Sequence, residues 1–175
     1  MTEFVLRPWR MEDAPALARF ADNPRIAAWL RDAFPNPYTL DDARAYIASC
    51  AAGGKDRLTR AIEIGGEAAG SVGVYRGTDV YRLSAELGYW LAEDYWGRGV
   101  MTRAVRYICR EAFREFDIVR IFAEPFENNA ASRAVLEKAG FTREGTMRAG
   151  VCKNGRVQSY CMYSLLRPEA GPEGP

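Results

Sequence analysis

At 175 residues, 48% apolar and 27% charged, the chain has the size and composition of a protein built on one globular core, which excludes a disordered or fibrous class. Lys and Arg number 24 against 23 Asp and Glu, so no whole-molecule field exists to gather nucleic acid or an anionic membrane. Histidine is absent, and Cys50, Cys109, Cys152 and Cys161 form no C-x-x-C pair, which argues against a metal centre and for buried or half-buried free thiols.

In chain order, Phe4 to Pro8 predicts a short first strand ended by proline, Asp13 to Ala21 a helix, and Ile26 to Leu30 a further helical turn after the Asn23-Pro24 break. Thr39-Leu40-Asp41-Asp42 has the pattern of an N-cap with an acidic third helical position, and Gly53-Gly54 marks the end of the helix it opens. Three segments rich in β-branched and aromatic residues follow, Arg57 to Ile64, Ala68 to Tyr75 and Arg82 to Leu91; their glycine-containing turns predict antiparallel strands.

The strongest helical signal runs from Val100 to Phe116. Met101, Val105, Ile108, Ala112 and Phe116 lie on one face, while Arg103, Arg106, Arg110 and Arg114 form a basic stripe that reads as a solvated face, with contact to an anionic ligand or an acidic partner as its alternative. Ile118 to Ala123 predicts a buried strand, and Asn129 to Ala139 a helix stopped by Gly140. Two last strands, Phe141 to Val151 and Val157 to Leu166, meet at Lys153-Asn154-Gly155. The expected architecture is one α/β domain of the α+β type over residues 1–167, with helices on a mixed, mostly antiparallel sheet of about seven strands. Residues 168–175, which hold three prolines and two glycines, are expected to form a loose tail.

Between the strand ending at Leu91 and the long helix lies Trp96-Gly97-Arg98-Gly99-Val100-Met101-Thr102. Strand, glycine turn and helix start give what an anion cradle needs: backbone without Cβ atoms, unpaired N–H groups and the positive end of the helix dipole. A tight turn alone would share this spacing. Thr102 stands where a Rossmann fingerprint needs its third glycine, and the Gly-Lys-Ser/Thr of a P-loop is missing.

This segment resembles the acetyl-CoA loop of the GNAT superfamily of N-acetyltransferases, Gln/Arg-x-x-Gly-x-Gly/Ala. Trp96 and Met101 depart from the general pattern in the manner of the RimJ/RimL-type branch, whose loop resembles Tyr95 to Thr102. The likeness continues through Asn129 to Ser132 and Leu136-Glu137-Lys138-Ala139-Gly140-Phe141, and upstream through Leu6-Arg7-Pro8 and Pro35 to Thr39. It covers about Phe4 to Leu166 in order.

The resemblance implies a mixed sheet that splays between the strand ending at Leu91 and the strand Ile118 to Ala123, with pantetheine lying in that cleft and pairing with the backbone near Tyr89 and Leu91. Gly97, Arg98, Gly99, Val100, Met101 and Thr102 would then hold the pyrophosphate. Asn129 matches a position that contacts the CoA arm, and it is equally suited to capping its helix. Acetyl-CoA is the implied co-substrate, without a metal, and attack is direct within a ternary complex.

Acetyl transfer needs a neutral amine and a stabilised leaving thiolate. With no histidine, Glu86 is the candidate base, because it shares a strand face with Gly88 and Trp90; a salt-bridged surface role is its alternative. Many superfamily members place a tyrosine where Leu136 stands. Ser132 matches a serine proposed as the acid in RimL-like relatives, and a capping role is its alternative.

The implied acceptor is a primary amine, either a protein N-terminus or a small molecule, and a homodimer stays open. The missing histidine and tyrosine also keep open a CoA-binding sensor or interaction module without turnover. Met1 to Val5 lacks a basic region followed by an apolar one, and no stretch approaches the ~18 apolar residues that span a bilayer, so a cytoplasmic location is expected.

Overall fold

A computed structural model describes residues 2–52 and 54–170 of the chain. Seven strands form one sheet: β1 (Val5–Arg7), β2 (Arg57–Ile64), β3 (Glu67–Arg76), β4 (Ser84–Leu91), β5 (Arg120–Ala123), β6 (Thr142–Lys153) and β7 (Arg156–Leu166). Their spatial order is β1-β2-β3-β4-β5-β7-β6. Every neighbouring pair is antiparallel except β4 and β5, which run parallel because α4 (Val100–Glu115) crosses between them.

The β-strand and turn chemistry of the sequence explains the sheet's outer parts. Gly65 and Gly66, both at positive φ, close the β2–β3 hairpin, and Asn154 and Gly155 do the same between β6 and β7. The expected helices form as α1 (Ala14–Ala21), α3 (Leu40–Ala51) and α5 (Ala130–Ala139), while the turn expected at Ile26 to Leu30 forms earlier, as α2 (Pro24–Ala27), because Asn23 caps it and Pro24 opens it. Thr39 caps α3 with a reciprocal Asp42 contact, while Gly140 adopts the left-handed conformation that ends α5. Of the expected Gly53-Gly54 stop, Gly53 lies outside the described residues; Ala52 is the C-cap.

Two apolar clusters hold the layers together. The larger packs Val100, Ala104, Val105, Ile108 and Ala112 of α4 against Ile62, Val72, Val74, Leu87 and Leu91 of the sheet, and adds Leu136 of α5. The smaller joins Leu17 of α1 and Ala43 and Ile47 of α3 with Tyr38, flanked by Trp9, Phe34 and Trp90. Alternation along β4 decides which side chain goes where: Leu87, Tyr89 and Leu91 share the face of the larger cluster, and Glu86, Gly88 and Trp90 the other. The Tyr46 hydroxyl of α3, 2.8 Å from Ser71 Oγ, ties α3 to that second face.

Beneath the smaller cluster, Arg7 forms a two-pronged pair with Asp13, with both contacts at 2.7 Å, and also meets Glu63. Burial raises the Asp13 carboxyl, but the Arg7 hydrogen bonds and the Arg10 N–H outweigh it and hold Asp13 below the usual range.

Two details differ from the sequence reading. Cys152 is exposed, because it lies toward the β6–β7 turn, whereas Cys50 is half-buried and Cys109 and Cys161 are buried; all four are free thiols. Arg167 to Ala170 forms a 3-10 turn, with Arg167 donating to the carbonyls of Phe113, Phe116 and Ile118; residues 171–175 of the expected tail lie outside the described residues. Among the described residues no helix is long and apolar enough to cross a membrane.

Candidate active site

β4 and β5 pair only at Ser84–Arg120, Ala85–Ile121 and Glu86–Phe122, and beyond Glu86 the two strands separate. The edge of β4 from Leu87 to Leu91 therefore faces an opening in the middle of the sheet. A 3-10 turn (Glu93–Tyr95) and the Trp96–Gly99 loop lead from that edge into α4.

The loop's conformation follows from its residues. Gly97 and Gly99 have φ of +72° and +71°, which L side chains rarely adopt, and a Cβ on either would meet nothing within 4 Å. Among the described residues, none of the backbone N–H groups of Gly97, Arg98, Gly99, Val100, Met101 and Thr102 donates to an acceptor within the chain; the first amide to do so is that of Arg103, to Gly99 O at 3.3 Å. Six consecutive donors thus remain available at the positive end of a 16-residue helix. The Val100 and Met101 side chains point into the core. That explains why methionine is tolerated at a position where the general GNAT pattern has glycine or alanine: only its amide faces the loop.

Trp96 has a structural task as well. Its indole N–H donates to the Leu91 carbonyl at 2.7 Å, which fixes the loop to the end of β4 and engages one acceptor of the edge expected to meet pantetheine. Glu93 holds the same loop from the other side, accepting from Asn23 at 2.9 Å and from Arg25 of α2.

On the larger-cluster face, Ser132 Oγ lies 2.7 Å from the Tyr89 hydroxyl, so a β4 side chain meets the first turn of α5 across the opening. Burial pushes the Tyr89 phenol far above its ordinary value, and it stays protonated at any working pH. Asn129 is the N-cap of α5, its Oδ1 accepting from Ser132 N at 3.1 Å. Leu136 is fully buried in the core. Tyr89 was missed as a side chain in the sequence, where only its backbone was of interest; strand alternation faces it toward the helices, but nothing local signals its partner.

On the opposite face, Glu86 is half-buried, and its carboxylate is paired with Arg31, as the salt-bridge alternative anticipated. Arg31 also reaches Glu124 at 3.0 Å. Burial raises the Glu86 carboxyl, Arg31 opposes that, and the nearby Glu124 adds to it; the net direction is upward. No hydrogen bond links Glu86 to Ser132, because alternation sends Glu86 and Tyr89 to opposite faces of β4; both border its unpaired edge.

The basic stripe on α4 is partly engaged within the chain. Arg103 donates to the Thr2 carbonyl and lies 4.8 Å over the Phe4 ring, while Arg106 donates to the Lys138 carbonyl. Among the described residues no three acidic, cysteine or histidine side chains converge as a metal centre.

These features can be set beside known proteins. Residues 3–142 match the family model described as the acetyltransferase (GNAT) domain. The Bacillus subtilis protein named putative ribosomal N-acetyltransferase YdaF is 34% identical over 150 residues, spanning 86% of this chain and 76% of that protein. Mycobacterium smegmatis RimJ, solved in complex with CoA-disulfide, superposes with a TM-score of 0.82 at 27% identity over 95% of this chain and 83% of that one. RimL, a ribosomal L7/L12 α-N-protein acetyltransferase solved with coenzyme A, shares the fold with a TM-score of 0.81 at 24% identity, over 95% of each chain. A parallel β4–β5 pair that opens onto a glycine loop with free amides, matched over most of the chain by one family model, means that this protein belongs to the GNAT family of N-acetyltransferases, and its likeness runs to the RimJ/RimL-type members.

Proposed function

We propose that the chain transfers an acetyl group from acetyl-CoA to a primary amine, by direct attack within a ternary complex. The observation that carries this reading is the run of six unengaged amides from Gly97 to Thr102 at the end of the opened β4 edge. Backbone donors fixed in one direction suit a pyrophosphate, whose oxygens accept several bonds at once, and the open space over Gly97 and Gly99 lets it approach. Pantetheine then follows β4 past Tyr89 and Leu91 toward Ser132. Asn129 keeps its capping bond and borders the same arm.

The amine must arrive or become neutral. For an α-amino group of pKa ~7.8, about a seventh is neutral at pH 7. For a lysine-like amine near ~10.4, deprotonation costs roughly 3–4 kcal/mol more. Glu86, half-buried and with its carboxyl raised, is the group assigned to take the amine's proton, directly or through one water. Protein N-terminal α-amino groups therefore fit this weak base better than lysine side chains, and small amines of similarly low pKa fit equally.

The leaving thiolate needs hydrogen-bond donors. Ser132 supplies one, and Tyr89 stands behind it at 2.7 Å. A free thiol titrates near ~8.5, well below the raised Tyr89 phenol, so net proton transfer from Tyr89 to the thiolate runs uphill. The pair acts by polarising and orienting rather than by giving up the phenolic proton, and the thiolate takes its proton from solvent or from the proton removed from the amine.

A second reading, CoA binding without turnover, is favoured by Leu136, which is buried where many relatives have a tyrosine acid. Thermal unfolding with acetyl-CoA, followed by CoA release over a panel of N-terminal peptides and small amines, separates the two. Acetyl-CoA at ~100 times its Kd stabilises by roughly 2.7 kcal/mol under either reading. Acceptor-dependent thiol release supports the transferase; stabilisation without release on any acceptor supports the second reading.

A further inference from the structure

The segment after α2 is bound to the acceptor side of the sheet by successive side chains. Asp32 accepts from Lys153 at 2.7 Å, and that lysine is buried although it sits beside the β6–β7 turn. Phe34 packs edge-on to Trp90, with ring centroids 6.0 Å apart, and lies 4.9 Å from Tyr38. These contacts fix the backbone next to Arg31. The Arg31 side chain then extends to the point where β4 and β5 stop pairing, and it meets Glu86 from β4 and Glu124 just beyond β5.

Two half-buried carboxylates share this one cation. Among the described residues, neither the Glu86 nor the Glu124 carboxylate has another hydrogen-bond partner. The titratable and charged groups that face Glu86 are Arg31 from the segment after α2, Glu124 from the end of β5, and Tyr75, its register partner on β3. Arg31 is the only cation of the three. Without it, Glu86 would keep the burial and the neighbouring negative charge, both of which favour a protonated and catalytically idle acid.

We propose that Arg31 is a positioning residue for acetyl transfer: it holds the Glu86 carboxylate ionised and aimed at the mouth of the opened sheet, beside Glu124. This rests on the reading of Glu86 as the base. One cation on two carboxylates leaves a net negative charge at the mouth, which draws a cationic amine toward Glu86. The amine gives its proton to Glu86, and its lone pair is freed to attack the thioester.

The test follows the Glu86 carboxyl directly, by 13C NMR titration, together with the acid limb of kcat/KM for an amine acceptor. In Arg31→Gln both move toward higher pH by about one unit, so kcat/KM below the limb falls roughly tenfold and recovers at high pH. Arg31→Lys restores part of the shift. Glu124→Gln, which removes a like charge and keeps Arg31, moves both toward lower pH; loss of packing alone would not produce opposite signs. A Glu86 titration that stays in place in Arg31→Gln overturns the proposal. A Glu86 titration that moves while the acid limb stays overturns the assignment of Glu86 as base, and with it any catalytic role for Arg31, so the two failures are distinguishable.

Discussion

The proposed donor and acceptor sides of this molecule are built from different materials. The donor side, from Trp96 to Thr102, is backbone: six amides presented by two glycines at positive φ and a helix start. The acceptor side consists of side chains brought from far apart, among them Arg31 and Glu124, separated by 93 positions. A backbone site depends on local conformation and tolerates varied side chains. A side-chain site depends on the whole fold and can be retuned by single substitutions.

If that division holds, the largest effect on rate falls on the acceptor side without touching the donor side. Glu86→Gln is expected to lower kcat/KM for amine acceptors by about a hundredfold or more and to remove the acid limb, which steady-state kinetics across pH would show. Full activity with an unchanged pH profile would remove Glu86 from the mechanism.

The next effect concerns stability. The Arg7–Asp13 pair anchors the N-terminal layer on which the acceptor side rests, and both residues are buried. Asp13→Asn leaves Arg7 with less compensation and is expected to cost ~3 kcal/mol in denaturant unfolding at neutral pH. The sign with pH follows from the lowered Asp13 carboxyl. Its contribution is complete above the unfolded value of ~3.9 and is lost as pH falls through the lower folded value. Wild type therefore loses its advantage over Asp13→Asn in strong acid, and an advantage that persists undiminished through that range would contradict the pairing.

The smallest effect lies between the two sides. Ser132→Ala should reduce kcat about tenfold with acetyl-CoA affinity retained, and Tyr89→Phe should do less, since it removes only the group behind Ser132. A Tyr89→Phe loss larger than that of Ser132→Ala would make the phenol the direct partner of the thiolate.

The same division explains what the sequence disclosed. The α4 helix, the Thr39 cap, the Gly140 stop and the glycine loop were legible because each is a local pattern with a local physical cause. Ser132 and Glu86 could be named from resemblance and strand alternation, but not their partners. Tyr89 joins Ser132 over 43 positions and Arg31 joins Glu86 over 55, and no periodicity records such a meeting. Trp96 is a middle case: as a departure from the general motif it was visible, whereas its bond to the Leu91 carbonyl emerges only once the loop is folded.

The most direct test of a backbone-built donor site is calorimetric titration of acetyl-CoA into wild type, Gly99→Val and Glu86→Gln. Valine at φ +71° is strained, and its side chain enters the space over the free amides. The expected result is a Kd weakened about tenfold or more in Gly99→Val and unchanged within about twofold in Glu86→Gln, the strain in the left-handed region alone being worth ~1–2 kcal/mol. Wild-type affinity in a folded Gly99→Val, or an equal loss in Glu86→Gln, would contradict the account.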